Sequence, residues 1–290
     1  MRAIGWFICW KPALRFSKSM AGKSEHYLIS FLVDRLRLMM IAAVRRTVPP
    51  SGDLGYVIHQ VLKETFGSAA PKPFHIFDTE ELRVVAYSPH SGEDLVNFAL
   101  RQRDIVPGWE LAAKVLNFPA IEAFPVPRQW KSGQQFRFAV RTRPVTRISH
   151  ARERGLPREY DVFLHAISSK PEGEKEWLER EPVYLSWFKR QVPEDAAKIT
   201  ACRVFSTSLT DVHRKGASAV SGPDVTFMGA LEVRNAELFV GFLARGIGRH
   251  RAFGFGMLLL VKTNPKEHVV EAETRFSHKT GDYELLVSPE

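Results

Sequence analysis

The chain has 290 residues, 44% hydrophobic and 25% charged, which suits one large globular domain or two ordinary ones and excludes a disordered or fibrous chain. Lys and Arg number 41 against 32 Asp and Glu, giving a net charge of +9 and a pI near 9.6, a balance that fits a polyanionic partner, nucleic acid before membrane. The two cysteines, Cys9 and Cys202, offer neither a metal-ligand spacing nor a disulfide framework, and no stretch reaches the roughly 18 apolar residues of a membrane span.

The opening "MRAIGWFICWKPALRFSKSM" has an apolar run that ends at Lys11-Pro12 with no small-residue cleavage site. Residues 1–35 are therefore expected to be an extension on a cytoplasmic protein rather than a signal peptide. "LRLMMIAAVRR" (36–46) reads as a buried strand, broken by Pro49-Pro50-Ser51-Gly52. Ser51 or Asp53 then caps a helix running to about Thr65, with Gly67 beyond its end. At 100° per residue this helix gathers Leu54, Ile58, Val61 and Leu62 on one side and Tyr56, His59, Gln60 and Lys63 on the other. That second side is either a solvated face or a reactive one.

"PFHIFD" (73–78) and "LRVVAYS" (82–88) read as strands, and "GEDLVNFALRQR" (92–103) as a helix. Pro107, Pro119, Pro125 and Pro127 mark a domain boundary. The order then returns: a strand "QQFRFAVRT" (134–142), a helix "REPVYLSWFKRQV" (180–192), strands at 199–212 and 224–233 facing each other across a hairpin, a helix at 235–246 and a last strand "MLLLVK" (257–262). Two successive β-α-β-β-α-β units predict an α+β protein of two tandem ferredoxin-like domains, 36–127 and 128–263, followed by a tail, 264–290.

Charge is concentrated in the second unit. Between Arg128 and Arg158 there are nine basic residues against one acid, Glu153. Arg137, Arg141 and Arg143 have the even spacing of one strand face. Such a face is neutralised either by phosphates or by partners elsewhere in the fold. His213, Arg214 and Lys215 end a strand at the hairpin, where they either grip an RNA backbone or guard an edge against unwanted pairing. "GIGRHRAFGFG" (246–256) combines Gly246, Gly248, Gly254 and Gly256 with Arg249 and Arg251. Exposed amides beside arginines suit phosphates, although Gly254-Phe255-Gly256 also reads as a bulge opening the last strand. It lacks the GxxxxGK[ST] pattern of a P-loop.

A glycine-rich loop between the last helix and last strand of a second ferredoxin-like unit resembles the RAMP superfamily of CRISPR-associated proteins. "YVIHQVLKETFG", with Tyr-x-x-His, resembles its CasE branch, the repeat endoribonucleases of type I-E Cascade, and "GQQFRFAVRTRPVTR", "REPVYLSWFKRQV", "TDVHRKG" and "GIGRHRAFGFGMLLL" follow in that family's order. The resemblance spans roughly residues 38–262. It implies cleavage of a CRISPR repeat stem-loop without metal or cofactor, by attack of the RNA's own 2′-hydroxyl, leaving a 2′,3′-cyclic phosphate and a 5′-hydroxyl. It also implies that the protein remains with the product among other Cascade-type subunits; with no apolar run of membrane-span length, no membrane partner is expected.

By the same resemblance His59 and Tyr56 are catalytic. Lys63, one helical turn from His59, is the third expected catalytic residue, a cation to stabilise charge at phosphorus, although the family's lysine falls about one residue further on, where this chain has Glu64. Arg214 and Lys215 match the family's RNA contacts, supported by Arg141, Arg143 and Arg147 and by the glycine loop. The chain departs from the family in the residues ahead of its first strand and in the C-terminal tail. The alternatives are a non-catalytic RAMP subunit that only binds guide RNA, a type IV-like processing relative with other catalytic residues, and an RRM-like protein, for which Phe136, Phe138 and Phe205 are too scattered.

Overall fold

The computed structural model describes residues 26–47, 52–127, 130–148, 159–171, 173, 177–214 and 217–262. Two four-stranded antiparallel sheets organise the chain. The first has the order β2-β3-β1-β4 and the second β10-β5-β9-β8, each the spatial order of a βαββαβ unit. The expected tandem ferredoxin-like fold is therefore present. The expected tail, 264–290, lies outside the described residues.

The first unit begins earlier than its sequence suggested. Its first described strand is β1 (Tyr27–Leu32), inside the segment expected to be an extension, and the run expected to be a buried strand is a helix, α1 (Arg35–Arg45). Asp34 explains the difference: its side chain accepts the Arg37 N–H at 2.9 Å and starts the helix. Leu38, Ile41 and Ala42 then fall on one buried side, a helical period hidden in a run apolar enough to read either way. In β1, Ile29 and Phe31 alternate into the core beneath the helices.

The next helix, α2 (Gly55–Phe66), starts where the Asp53 carboxylate accepts the Gly55 N–H at 2.9 Å and stops at Gly67, whose φ is 61°. Strands β2 (Phe74–Asp78) and β3 (Leu82–Ser88) and helix α3 (Gly92–Gln102) lie where periodicity placed them. The proline-rich passage, expected to mark a domain boundary, holds regular elements of the first unit. It carries α4 (Trp109–Leu116) and β4 (Glu122–Pro125), which pairs with β1 and completes the first sheet. Pro125 is tolerated because β4 is an edge strand.

In the second unit β5 (Gln135–Thr142) leads to a short ribbon, β6 (Val145–Arg147) with β7 (Glu159–Asp161), and then to α5 (Val162–Ser168), none of which the sequence pattern suggested. Helix α6 (Arg180–Gln191), the long hairpin β8 (Ala197–Arg214) and β9 (Ala217–Val233), α7 (Ala236–Arg245) and β10 (Leu259–Lys262) follow the expected order.

The two units share a core through β3. Its residues alternate: Val84 and Ala86 face the first unit's helices, while Val85 and Tyr87 pack with Met257, Leu258 and Ile247 of the second. The Tyr87 hydroxyl donates to the Leu258 carbonyl at 3.1 Å. A strand buried on both faces fixes its register strongly, since slipping by one residue would exchange the two cores. Among the described residues no helix is long and apolar enough to cross a membrane.

Candidate active site at the junction of the two units

Helix α2 meets the glycine loop at this shared boundary. The loop's 3-10 turn, Arg251–Phe253, packs on the helix, so closely that a side chain at Gly55 would run into the Phe253 carbonyl. The Phe253 ring stands edge-on to His59 with centroids 4.8 Å apart and lies 6.0 Å from the Tyr56 ring. Tyr56 is only 8% exposed, with its hydroxyl 3.4 Å from the Gln60 amide nitrogen. The side of α2 that the sequence left open between a solvated and a reactive face is thus not fully solvated: it carries polar residues, but the second unit covers part of it.

His59 is half-buried at this seam. Burial holds its pKa below the usual histidine value, and the ammonium groups of Lys63 and then Lys72 push it further in the same direction. Lys63 is exposed one helical turn from His59; Lys72, also exposed, arrives from the loop ahead of β2. Local spacing gives no sign of Lys72, which reaches the site only through the tertiary fold. Glu64 is held by Arg45 of α1 in a two-point contact of 2.7 and 3.0 Å.

The glycine loop is held by its own backbone. Ile247 N–H donates to Gly256 O at 2.8 Å, Gly256 N–H to Arg141 O at 2.6 Å, and Phe253 N–H to His250 O at 2.8 Å. Gly246 has φ 69°, and a side chain there would stand 2.7 Å from Gly256 O and 2.8 Å from the Pro73 ring, so only glycine fits both conformation and space. Because β10 pairs only from Leu259 onward, Gly254-Phe255-Gly256 lies in the loop and does not form a strand bulge. Glu159 of β7, whose side chain is 7% exposed, accepts from Arg249 Nε at 2.9 Å and sits 2.6 Å from His250 Nε2, while Arg251 donates to the Arg245 carbonyl.

The basic strand face has partners inside the protein. Arg141 contacts Asp224 and Asp53, each at 2.6 Å. Arg143 is 1% exposed and donates to the carbonyls of Thr210 and Val220, in space left by Gly222. Of the two neutralising schemes the sequence allowed, the fold supplies the internal one for these two residues. Arg147 is exposed at the end of β6. Arg214 pairs through its backbone with Ala217 at the hairpin end, and Lys215 lies outside the described residues. A groove of about 720 Å³ beside the loop is lined by Lys72, Glu159, Arg249, His250, Arg251 and Phe253. A second, of about 860 Å³, continues past Gly248 and Arg249 to Arg147, His165 and Arg190.

Two ferredoxin-like units, with a histidine-bearing helix and a glycine loop meeting at their junction, define a tandem ferredoxin-like α+β protein. The chain belongs to the family of CRISPR-associated proteins, whose profile, described as "CRISPR associated protein", matches residues 35–262. Among solved structures it resembles the CRISPR endoribonuclease Cse3 bound to a 19-nucleotide RNA, with 18% identity and a TM-score of 0.53 over 81% of this chain and 98% of that one. It also resembles Thermus thermophilus Cse3 bound to an RNA representing a pre-cleavage complex, at 16% identity and TM-score 0.54 over 82% and 99% of the two chains. Cas6e from Escherichia coli K-12 gives 19% identity and 0.50 over 82% and 100%. At these identities the likeness is one of fold. No curated protein matches the chain.

Proposed function

We propose that this protein is a CasE-type endoribonuclease that cuts CRISPR repeat RNA at a stem-loop and remains with its product as a subunit of a Cascade-type complex in the cytoplasm. The observation that carries this reading is the docking of His59 and Tyr56 against Phe253 of the glycine loop, with Lys63 and Lys72 acting electrostatically on the imidazole. Family membership and the fold shared with RNA-bound Cse3 support the choice of substrate.

RNA supplies its own nucleophile, so the protein needs only to move protons and stabilise charge. A histidine whose pKa is held low is neutral at physiological pH and able to take the 2′-hydroxyl proton. The 2′-oxygen then bonds to phosphorus as the bond from phosphorus to the 5′-oxygen breaks. The leaving 5′-oxygen takes a proton from water while His59 holds the proton of the 2′-hydroxyl and later returns it to solvent, and the products carry a 2′,3′-cyclic phosphate and a 5′-hydroxyl. Lys63 and Lys72 stabilise the charge that grows on the phosphoryl oxygens, and Tyr56 orients the scissile group. No metal enters this scheme. The two connected grooves offer a cationic track for the strand beside the cut.

End-group analysis tests the chemistry. Incubation of a repeat RNA with the protein in EDTA should yield cyclic phosphate and 5′-hydroxyl ends, and one 2′-deoxy substitution at the cut should abolish cleavage. Cleavage of the deoxy RNA, or a requirement for added metal, would overturn the mechanism.

A further inference from the structure

We propose that Arg141 is a positioning residue rather than an RNA contact: it ties the start of α2 to the β8–β9 hairpin and the glycine loop, and so sets where His59 and Tyr56 stand. This deepens the endoribonuclease reading and rests on it. Asp53 has two bonds to offer at the head of α2. One carboxylate oxygen accepts the Gly55 N–H and the other accepts Arg141 Nη2 at 2.6 Å.

Asp224 on β9 takes Arg141 Nε at 3.0 and 3.1 Å and Nη2 at 2.6 Å, and it accepts the Thr210 hydroxyl of β8 at 2.7 Å. The Arg141 carbonyl receives the Gly256 N–H, and the guanidinium lies 4.4 Å from the Phe255 ring centroid. One residue thus joins the catalytic helix to β9 and the glycine loop, and Asp224 carries the link on to β8.

Charge and access favour this role over a phosphate contact. The side chains of Asp53 and Asp224 are 9% and 10% exposed, and that of Arg141 22%. Arg143, over the same Phe255 ring at 5.6 Å, brings the cluster to two arginines against two carboxylates. No positive charge is left over for a phosphate. Releasing Arg141 to RNA would strand two nearly buried carboxylates, a costly exchange. Lysine could not replace it, because an ammonium lacks the planar fork that engages two carboxylates at once.

The test uses the full chain with Asp53→Asn, which slackens only the α2 arm, and Arg141→Gln, with thermal unfolding recorded for both. Affinity and its salt dependence are measured on a repeat RNA carrying a 2′-deoxy at the cut. Cleavage is followed under single turnover at saturating protein, and hydrogen exchange is followed in the first turn of α2. A small displacement of reacting groups costs on the order of a hundredfold. We expect both variants to cut at least tenfold more slowly, to bind within about threefold of the natural protein with an unchanged salt slope, and to exchange the α2 amides faster.

Weaker binding with the salt slope reduced by about 0.7–0.9 in Arg141→Gln, or tighter binding in Asp53→Asn as the arginine is freed, would overturn the proposal. Full cleavage with unchanged exchange in Asp53→Asn would overturn it as well. If the natural protein fails to cut repeat RNA, the endoribonuclease reading falls by itself, and the exchange and salt slopes still decide whether Arg141 clamps α2.

Discussion

Phe253→Ala removes the ring that stands 4.8 Å from His59 and 6.0 Å from Tyr56. Two aromatic contacts at about 0.5–1.5 kcal/mol each place the ordering of this pair at roughly 1–3 kcal/mol. At about 1.36 kcal/mol per factor of ten, cleavage should slow by roughly fivefold to a hundredfold at saturating protein. The pH dependence should change too. Burial is the largest cause of the lowered His59 pKa, so losing the ring hydrates the imidazole and returns its pKa toward 6.5.

A base must be neutral to act, and the acid limb of the rate profile would therefore move to higher pH, with the deficit largest near pH 6 and smaller above pH 8. Single-turnover cleavage between pH 5 and 9, with Phe253→Leu as the bulky control, reads both effects. An unchanged rate and an unchanged limb, with only a lower melting temperature, would refute the argument and leave Phe253 as a space-filling residue.

The Lys63→Ala/Lys72→Ala variant removes the two charges that oppose imidazolium, so the acid limb should again move up while the plateau falls; a limb that stays in place would separate both lysines from His59. Gly246→Ala forces a Cβ against Gly256 O and Pro73 at a φ of 69°, and should cost about 1–3 kcal/mol of stability by denaturant unfolding, with cleavage lost in parallel. Arg147→Ala, at an exposed cation in the second groove, should reduce the salt slope of RNA binding by about 0.7–0.9 with little change in the saturated rate. His75 is held down to about 4 by burial and then by the charge of Arg141, whereas in the unfolded chain it titrates near 6.5. Above pH 6.5 both states are neutral; on acidification from 6.5 to about 4 the unfolded chain binds the proton first and stability falls, on the order of 3 kcal/mol at about 1.36 kcal/mol per pH unit. Urea unfolding at pH 7.5 and 5 should show the loss, and His75→Gln should reduce it.

What the sequence made legible were patterns that repeat locally. Strand-like runs bounded by turn residues located β2, β3 and the long hairpin, alternation located β5, and the doubled order of elements pointed to the tandem fold. Tyr56 and His59 stood out as a pair because three residues bring side chains to one helix face. The glycine loop stood out because four glycines in eleven residues have no use in a regular element.

What stayed hidden depended on distance or on ambiguous runs. The segment of α1 is apolar enough to read as a strand, and only Asp34, as an N-cap, marks it as a helix. Proline hid α4 and β4 because it is compatible with helix starts and edge strands as well as with linkers. The arginines of β5 looked uncompensated because their partners are remote: Asp53 lies 88 residues from Arg141 and Asp224 lies 83. Lys72 and Phe253 complete the site from other elements, and no spacing rule connects either to His59.

The most direct test of the central claim is cleavage of repeat RNA in EDTA by the natural protein and by His59→Ala, compared at equal RNA occupancy. With the chemistry on His59, the natural protein cuts and the variant binds equally well and leaves the RNA intact. Cleavage by His59→Ala at the natural rate would place the chemistry on other residues and contradict that claim.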